Sequence, residues 1–264
     1  MTQPLAYIHP EAQIGANVEI GPFTTIDKNV VIGEGTIIGS NVTIYSGARI
    51  GKNCKIFPGA VISAVPQDLK FAGEDTTAEI GDNCTLRECV TVNRGTASRG
   101  KTVVGNNCLL MAYVHIAHDA VLGNNIILSN ACQIAGEVEI DDYVVMGGTS
   151  GAHQFVRIGT HAMLQGGSKI GQDIPPYVIG GRARLSYAGI NIVGLRRKGF
   201  SNEKIEEIQG MYRLIYNSGL NNSAALAKIE ETFAPSVERD TILNFIRSSK
   251  RGILRGHKAG SSEE

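Results

Sequence analysis

Isoleucine recurs at every sixth position, ten times in succession, near the start of the chain. The ten residues are Ile8, Ile14, Ile20, Ile26, Ile32, Ile38, Ile44, Ile50, Ile56 and Ile62. A period of six matches neither the 3.6-residue turn of an α-helix nor the two-residue alternation of an amphipathic strand. A fixed repeat of this length indicates a solenoid, in which each unit buries its apolar face only by stacking on its neighbours.

A second set of smaller residues lies two positions before these isoleucines, as Val18 lies before Ile20. Side chains two residues apart point to the same face of an extended segment, so each unit is predicted to be a short strand with one buried face. Asn or Gly stands at the corners between units, for example at Asn17 and Gly35, and both tolerate turn conformations. Because the units stack, strands of successive coils are predicted to run parallel.

The repeat extends well beyond these first units. It lapses over 63–78 and over 94–102, and otherwise continues to Ile170. The pair Pro175 and Pro176 then breaks it.

Apolar residues recur at helical spacing after Ser201, which is predicted to cap the first helix. Two more helices are predicted over 223–232 and 236–248, followed by a frayed polar tail from Arg251. The chain is therefore predicted to contain a β-solenoid domain over 1–180 and a small helical domain over 181–264.

Charge and cysteine content limit the kinds of partner. The 25 basic residues balance the 25 acidic ones, which argues against nucleic acid or an anionic membrane surface as a partner. No apolar run is long enough to span a membrane, and the N-terminus lacks the pattern of a signal peptide. Four of the five cysteines occupy the small interior position, so we interpret them as buried apolar residues in a cytoplasmic protein.

The period does not show how many units close a coil, or with which hand. Here the chain resembles the hexapeptide-repeat acyltransferases, and this resemblance implies three units per coil in a left-handed parallel β-helix. Residues 18 apart would then stack at about 4.8 Å per coil. That stacking gathers polar side chains at one edge of three neighbouring coils; they are His115, His118, Asp119, Gln133, Glu137, His153 and Gln154.

Two chemistries suit this cluster. In the first, a neutral imidazole accepts a proton from an attacking sugar hydroxyl, a carboxylate such as Asp119 orients the ring, and a backbone amide such as that of Gly136 stabilises the oxyanion. In the second, three histidines bind a catalytic zinc. The spacing of the residues does not choose between them.

Several longer segments bear a closer resemblance to the UDP-N-acetylglucosamine O-acyltransferases of lipid A biosynthesis. They are 67–74 (QDLKFAGE), 93–96 (NRGT), 115–119 (HIAHD), 135–136 (AG), 153–155 (HQF), 173–177 (DIPPY) and 191–200 (NIVGLRRKGF). This resemblance covers nearly the whole chain. It implies transfer of an (R)-3-hydroxyacyl group from acyl carrier protein to the 3-hydroxyl of UDP-N-acetylglucosamine, the first step of lipid A biosynthesis, by a homotrimer without metal or cofactor.

The same resemblance assigns roles to individual residues. His118 matches the general base, Asp119 its partner, and Gly136 the residue whose amide faces the oxyanion. The residues that match substrate contacts are Asp68, Lys70, His115, Glu137, His153, Gln154, Asn191 and Arg197. Met163 and Gly166 match positions that set acyl-chain length, and the glycine implies room for a long chain.

Three positions depart from the family pattern. Glu137 stands where His is common, Val193 where an acidic residue is frequent, and Lys198 where Arg is usual. A further set of basic residues is predicted to dock the acidic acyl carrier protein. That set comprises Arg182, Arg184, Arg196, Arg197 and Lys198.

Three other kinds of protein are built from repeated β-coils. A zinc-dependent carbonic anhydrase of the γ type would also use three histidines. The N-acyltransferase acting later in the same pathway carries an additional N-terminal domain, whereas the repeat here begins by Ile8. An ice-binding solenoid requires a flat face of repeated threonine, and the outward residues of this chain are mixed.

Overall fold

The computed structural model describes residues 5–256, and most of them wind into a left-handed parallel β-helix, as predicted. Each six-residue unit contributes one short strand, and three units complete a coil. Strands three apart in the chain therefore pair in parallel, so that Tyr7 lies opposite Thr25 and Ile8 opposite Ile26. The result is a prism with three sheets as its faces.

The strands of each face follow one another at every third position. The first face contains β1 (Tyr7–Ile8), β4 (Thr25–Ile26), β7 (Thr43–Ile44), β10 (Val61–Ala64), β13 (Thr91–Asn93), β16 (His115–Ile116), β19 (Gln133–Ile134), β22 (Gly151–Ala152) and β25 (Lys169–Ile170). The second contains β2 (Gln13–Ile14), β5 (Val31–Ile32), β8 (Ala48–Ile50), β11 (Thr77–Ile80), β14 (Lys101–Val104), β17 (Val121–Leu122), β20 (Glu139–Ile140) and β23 (Arg157–Ile158). The third contains β3 (Glu19–Ile20), β6 (Ile37–Ile38), β9 (Lys55–Ile56), β12 (Thr85–Leu86), β15 (Leu109–Leu110), β18 (Ile127–Leu128), β21 (Val145–Met146), β24 (Met163–Leu164), β26 (Val178–Gly181) and β27 (Ser186–Ile190).

The interior is the predicted column of large apolar residues. Ile26, Ile44 and Ile62 of the first face are fully buried, and the four interior cysteines are buried free thiols. Ile8 and Ile14 are only partly buried, because they belong to the first described coil, which has a neighbouring coil on one side.

Corners between strands repeat one backbone conformation. Asn29 and Asn53 adopt the left-handed region, with φ of +55° and +54°. Asn enters this region more readily than most residues, which explains its frequency at the corners.

Both lapses of the repeat are loops at the same corner. The first runs from β10 to β11 and the second from β13 to β14, so each connects the first face to the second. His118 follows β16 at this same corner, one coil beyond the second loop. Both insertions are thereby placed beside the predicted catalytic residue.

The C-terminal part begins with an antiparallel pair, β26 and β27. Four helices follow: α1 (Ile192–Arg197), α2 (Asn202–Asn217), α3 (Asn222–Thr232) and α4 (Val237–Ser248). The last three match the predicted helices, and the hydroxyl of Ser201 caps α2 by accepting from the Lys204 amide. The short α1 was not predicted. Among residues 5–256, no helix combines the length and apolar content needed to cross a membrane.

The predicted frayed tail is wrong for residues 251–256. Ile253 and Leu254 are buried, and the Leu254 amide donates to the Asp173 carbonyl over 2.8 Å. The buried Asp173 carboxylate also accepts from the Ser249 hydroxyl, over 2.7 Å. These two apolar residues return the chain to the end of the β-helix, whereas the rest of the predicted tail, 257–264, lies outside the described residues.

Candidate active site

Three of the predicted site residues stack at one corner of the prism. His118, Gly136 and Gln154 each lie two residues after a first-face strand, and those strands are neighbours in the sheet. A Cβ atom placed on Gly136 would lie 2.6 Å from both Cε1 and Nε2 of His118. The glycine therefore lies directly against the imidazole edge, and the spacing of 18 residues is confirmed as the spacing of contact.

His118 and Asp119 form a buried pair. His118 Nδ1 is 2.8 Å from Asp119 Oδ2, the His118 side chain is 11% exposed and the Asp119 side chain is fully buried. Asp119 occupies the corner position and has a φ of +59°, a conformation that Asp tolerates better than most residues. The backbone amide of Asp119 donates to the Thr102 hydroxyl over 2.8 Å.

The loop at 94–100 surrounds the Asp119 carboxylate with donors. The Thr96 hydroxyl donates over 2.7 Å, and the backbone amides of Thr96 and Arg99 donate over 3.0 and 3.1 Å. Burial alone would raise the pKa of Asp119, but the hydrogen bonds from Thr96, His118 and Arg99 outweigh burial and hold the pKa below its usual value. An ionised carboxylate only accepts, so Nδ1 of His118 is the donor to Asp119, and in the neutral ring Nε2 is the nitrogen with the lone pair.

Asp68 approaches the other side of the same ring. Its Oδ2 lies 3.8 Å from His118 Nε2, beyond hydrogen-bond distance but close enough to attract the positive charge of a protonated ring. Asp68 Oδ1 accepts from the Lys70 backbone amide over 3.0 Å, and the Lys70 side chain is exposed. The Arg94 guanidinium lies 5.4 Å from the centre of the Phe71 ring, which links this loop to the loop at 94–100.

His115 lies in β16 and faces outward one strand position before the interior Ile116. Its Nδ1 is 2.7 Å from the Thr91 hydroxyl of the neighbouring coil. Burial, and to a lesser extent the positive charge of His118 whenever that ring is protonated, lower the pKa of His115, so the His115 ring is mostly neutral at pH 7. Gln133 is its partner in the next strand.

His153 and Gln154 occupy the next coil of the same corner. His153 is exposed, and its Nδ1 lies 3.1 Å from the Gln154 carbonyl and 3.3 Å from Nη2 of Arg251. Gln154 is half-buried. Arg251 comes from the segment that follows α4, so the C-terminal segment reaches the predicted site.

Glu137 adjoins the site and contacts the loop at 94–100. Its Oε1 accepts from the Ser98 hydroxyl over 2.9 Å, and its Oε2 is 3.7 Å from Nε of Arg99. Both partners belong to the loop at 94–100. Contact of Glu137 with a substrate stays a prediction.

Other predicted residues lie at different corners of the same chain. Met163 is in β24 on the third face, and the exposed Gly166 lies between β24 and β25, at the corner of the third and first faces. Asn191 caps α1 by accepting from the Gly194 amide and donates from Nδ2 to the His161 carbonyl, which lies at the corner of the second and third faces. Arg197 is exposed at the end of α1. Within one chain, these residues are not brought together with His118.

The basic residues predicted to dock a carrier protein differ in their contacts. Arg182 and Arg184 are exposed. The Arg196 guanidinium donates to Asn202 Oδ1 over 3.2 Å. The Lys198 ammonium lies 4.6 Å from the centre of the Tyr143 ring.

The residues that hydrogen-bond to Asp119 or Glu137 from the loop and the strand after it were not predicted as site residues. Thr96, Ser98, Arg99 and Thr102 received no role, although Thr96 ends one of the segments on which the resemblance rests. The sequence feature that indicates them is the lapse of the repeat over 94–102. An insertion at the same corner as His118 lies close enough to contact the site.

The arrangement of side chains does not match the predicted alternative of a zinc site. Within residues 5–256, no three or more His, Cys, Asp and Glu side chains form a group that could hold a metal ion. The comparisons with known proteins likewise give no support to a carbonic anhydrase.

Family models match both parts of the chain. Residues 29–64 and 101–136 match the bacterial transferase hexapeptide model, and residues 173–254 match domain 2 of UDP-N-acetylglucosamine O-acyltransferase. Solved structures agree. A UDP-N-acetylglucosamine acyltransferase from Bacteroides fragilis is 58% identical, with a TM-score of 0.95 over 97% of this chain and 100% of that one. The Francisella novicida enzyme is 40% identical, with a TM-score of 0.94 over all of both chains.

A curated relative has the same description. The acyl-[acyl-carrier-protein]–UDP-N-acetylglucosamine O-acyltransferase of Myxococcus xanthus is 47% identical over 96% of this chain and 98% of its own length. Together with the buried pair at the corner of the β-helix, these matches show that the chain belongs to the acyl-[acyl-carrier-protein]–UDP-N-acetylglucosamine O-acyltransferase family.

Proposed function

We propose that this protein transfers an (R)-3-hydroxyacyl group from acyl carrier protein to the 3-hydroxyl of UDP-N-acetylglucosamine, the first step of lipid A biosynthesis. The observation that carries the proposal is the buried contact between His118 Nδ1 and the Asp119 carboxylate, which directs Nε2 of the imidazole towards Gly136. A lone pair at this edge suits removal of a proton from a hydroxyl group. The names of the related proteins supply the two substrates.

The reaction proceeds as an acyl transfer without a covalent enzyme intermediate. The 3-hydroxyl oxygen attacks the thioester carbonyl carbon while His118 Nε2 takes the hydroxyl proton. The carbonyl oxygen becomes an oxyanion, for which the Gly136 amide is the proposed donor, since that amide makes no hydrogen bond within residues 5–256. The carbon–sulfur bond then breaks, and the protonated His118 returns the proton to the phosphopantetheine thiolate.

The remaining residues of the corner are proposed to hold the substrates. Asp68 and Lys70 would contact the acyl hydroxyl and the sugar from the loop between β10 and β11. His115, His153 and Gln154 would line the pocket along neighbouring coils, with His115 in its neutral form. Asn191 and Arg197 would contact the nucleotide.

A homotrimer is proposed because the predicted site residues occupy three different corners of one prism. His118 lies between the first and second faces, Gly166 between the third and first, and Asn191 beside the corner of the second and third. Residues on different corners can meet around one substrate only if a corner of one subunit faces a corner of another. Three-fold symmetry supplies such a contact in a closed assembly. Sedimentation of the purified protein at three times the chain mass would be the expected result, and a monomer would contradict it.

The activity is tested with purified protein, UDP-N-acetylglucosamine and (R)-3-hydroxyacyl carrier proteins of graded length. Mass spectrometry is expected to find one ester-linked acyl group on the sugar nucleotide. His118→Ala is expected to lower kcat by about 10²–10⁴-fold, the usual contribution of a general base. Full activity of this variant would reject the assignment of His118.

The acceptor and the carrier are tested by two further measurements. A UDP-sugar that carries a 3-amine in place of the 3-hydroxyl competes with UDP-N-acetylglucosamine, and preference for the amine would contradict the proposed ester product. Charge reversal at Arg182 and Arg184 is expected to raise the KM for acyl carrier protein and leave the KM for the sugar nucleotide unchanged. An unchanged KM for the carrier would exclude these two residues as its docking site.

A further inference from the structure

The loop at 94–100 interrupts a repeat that otherwise passes from coil to coil at a tight corner. The loop residues do not extend the β-helix. They fold over the coil that follows, where Thr96 and Arg99 contact the Asp119 carboxylate. The Thr76 hydroxyl secures the start of the loop by donating to the Gly95 carbonyl over 2.6 Å, and the Gly100 amide closes it by donating to the Thr96 carbonyl over 2.8 Å. The loop is therefore an ordered part of the corner.

Asp119 depends on this loop for most of its hydrogen bonds. Its carboxylate is fully buried and accepts from the Thr96 hydroxyl, the Thr96 amide and the Arg99 amide, besides His118 Nδ1. A buried carboxylate is stable as an anion only when such donors replace water. The orientation of the carboxylate, and with it that of the imidazole, is thus set largely by the loop at 94–100, which hydrogen-bonds to Asp119.

Glu137 holds the loop from its outer side. Its carboxylate accepts from the Ser98 hydroxyl over 2.9 Å and lies 3.7 Å from the Arg99 guanidinium. Arg99 also pairs with Glu139 over 2.6 Å. Glu137 follows Gly136 directly, so the coil that contacts His118 also secures the loop that contacts Asp119.

We propose that Thr96 is a positioning residue for the His118–Asp119 pair, and that Glu137 serves the reaction through the same loop. This inference rests on the proposed function. The inference gives a role to the segment 93–96 and to Glu137, which stands where the family commonly has His. The proposed chemistry assigns no role to either. A substrate contact by Glu137 is the competing possibility, and kinetics separate the two.

Two substitutions at Thr96 form the first test. Thr96→Val keeps the shape and both backbone donors but removes the hydroxyl donor to Asp119, and it is expected to lower kcat about tenfold with little change in either KM. Thr96→Ser restores the hydroxyl and is expected to recover most of the kcat. Thr36→Val is the matched control, because Thr36 is also buried and its hydroxyl donates to the Gly51 carbonyl over 2.9 Å, away from the site.

The control separates positioning from loss of stability. Thr36→Val is expected to lower the melting temperature and leave kcat unchanged at a temperature well below unfolding. Wild-type kcat in Thr96→Val, or an equal loss of kcat in Thr96→Ser, would overturn the role of Thr96.

Glu137→Ala forms the second test. If Glu137 acts through Ser98 and Arg99, kcat falls severalfold, the KM for UDP-N-acetylglucosamine stays within about twofold, and Ser98→Ala changes kcat in the same direction. If Glu137 contacts the sugar nucleotide, KM rises with kcat unchanged, and the positioning role is wrong.

A measurement independent of catalysis distinguishes this inference from the proposed function. In protein labelled with ¹⁵N in its histidines, the His118 Nδ1–H resonance is identified by its loss in His118→Gln. Thr96→Val is expected to shift this resonance, and Thr36→Val to leave it in place. A shift in a protein that transfers no acyl group would support the positioning role and reject the proposed function. An unshifted resonance would reject the positioning role whatever the activity.

Discussion

Gly136 and the imidazole of His118 are in contact across two neighbouring coils, with room for no further atom between them. A Cβ at residue 136 would lie 2.6 Å from His118 Nε2, a separation that real side chains do not adopt. The φ of Gly136 is not in the left-handed region, so the backbone conformation does not require glycine. Glycine is required because its backbone lies so close to the imidazole. The stacking of residues 18 apart thus creates the edge at which the proposed reaction occurs.

Gly136→Ala is expected to lower kcat by about 10²-fold or more, because the added methyl group displaces the ring from its position beside the proposed oxyanion donor. Steady-state kinetics at saturating substrates measure the effect. Gly171→Ala is the control, since Gly171 lies at the same corner and a Cβ there would meet nothing within 4 Å. Equal activity of the two variants would show that the contact with His118 is unimportant.

Asp119→Asn is expected to lower kcat by about 10²-fold or more while the chain stays folded. The amide can donate to Nδ1 of His118, which would favour the ring form that carries its proton on Nε2 and has no lone pair for the hydroxyl. The comparison of kcat with the KM of each substrate shows whether the loss is confined to catalysis. Retention of wild-type kcat would mean that the carboxylate does not select the form of the ring.

His161 is expected to make the stability of the fold depend on pH. Its ring stacks on Tyr143 with centres 4.7 Å apart and meets the edge of Phe200 at 5.3 Å, and burial, followed by the charge of Lys198, lowers its pKa. Because the pKa is lower in the folded state, the unfolded state binds more protons as the pH falls below the usual value of 6.5. The contribution of neutral His161 is therefore present above pH 6.5 and is lost as the pH falls towards the folded pKa.

His161→Phe is expected to reduce this dependence. Phe keeps the aromatic contacts and cannot be protonated, and aromatic residues already occupy this corner position at Phe155 and Tyr143, with φ of +66° and +62°. Urea unfolding at pH 7.5 and 5.5 is expected to show a smaller loss of the free energy of unfolding in the variant than in the wild type. An identical loss in both proteins would assign the dependence to other groups.

Gly166→Met is expected to shift the acyl donor preference towards shorter chains. Gly166 is exposed and has no side chain, so a methionine would occupy space at a position predicted to set acyl-chain length. Competition among donors of graded length, read by mass spectrometry of the product, measures the preference, which in the wild type is predicted to favour chains longer than about ten carbons. A wild-type preference for ten carbons or fewer, or no shift in the variant, would remove Gly166 from the determinants of length.

The hexad pattern alone predicted the interior, and the family resemblance, which implied three units per coil, predicted the stacking at the corner. Every coil repeats the same positions, so the neighbours of Ile134 along the sheet are Ile116 and Ala152, 18 residues away on either side. The same spacing of 18 residues places Gly136 against the imidazole of His118. Such contacts can be counted along the sequence because each depends on a regular local conformation.

Only the tertiary structure decided how the non-repeating parts are used. Thr96 reaches Asp119 across a loop without periodicity, Asn191 caps a short helix that no pattern indicated, and Leu254 returns to Asp173 from the far end of the helical segment. These contacts form only when the whole chain has folded. No fixed spacing in the sequence therefore predicts which residues pair. The sequence, read with the family resemblance, therefore predicted where the proposed catalytic corner lies, and the three-dimensional packing of its insertions determined what holds that corner in place.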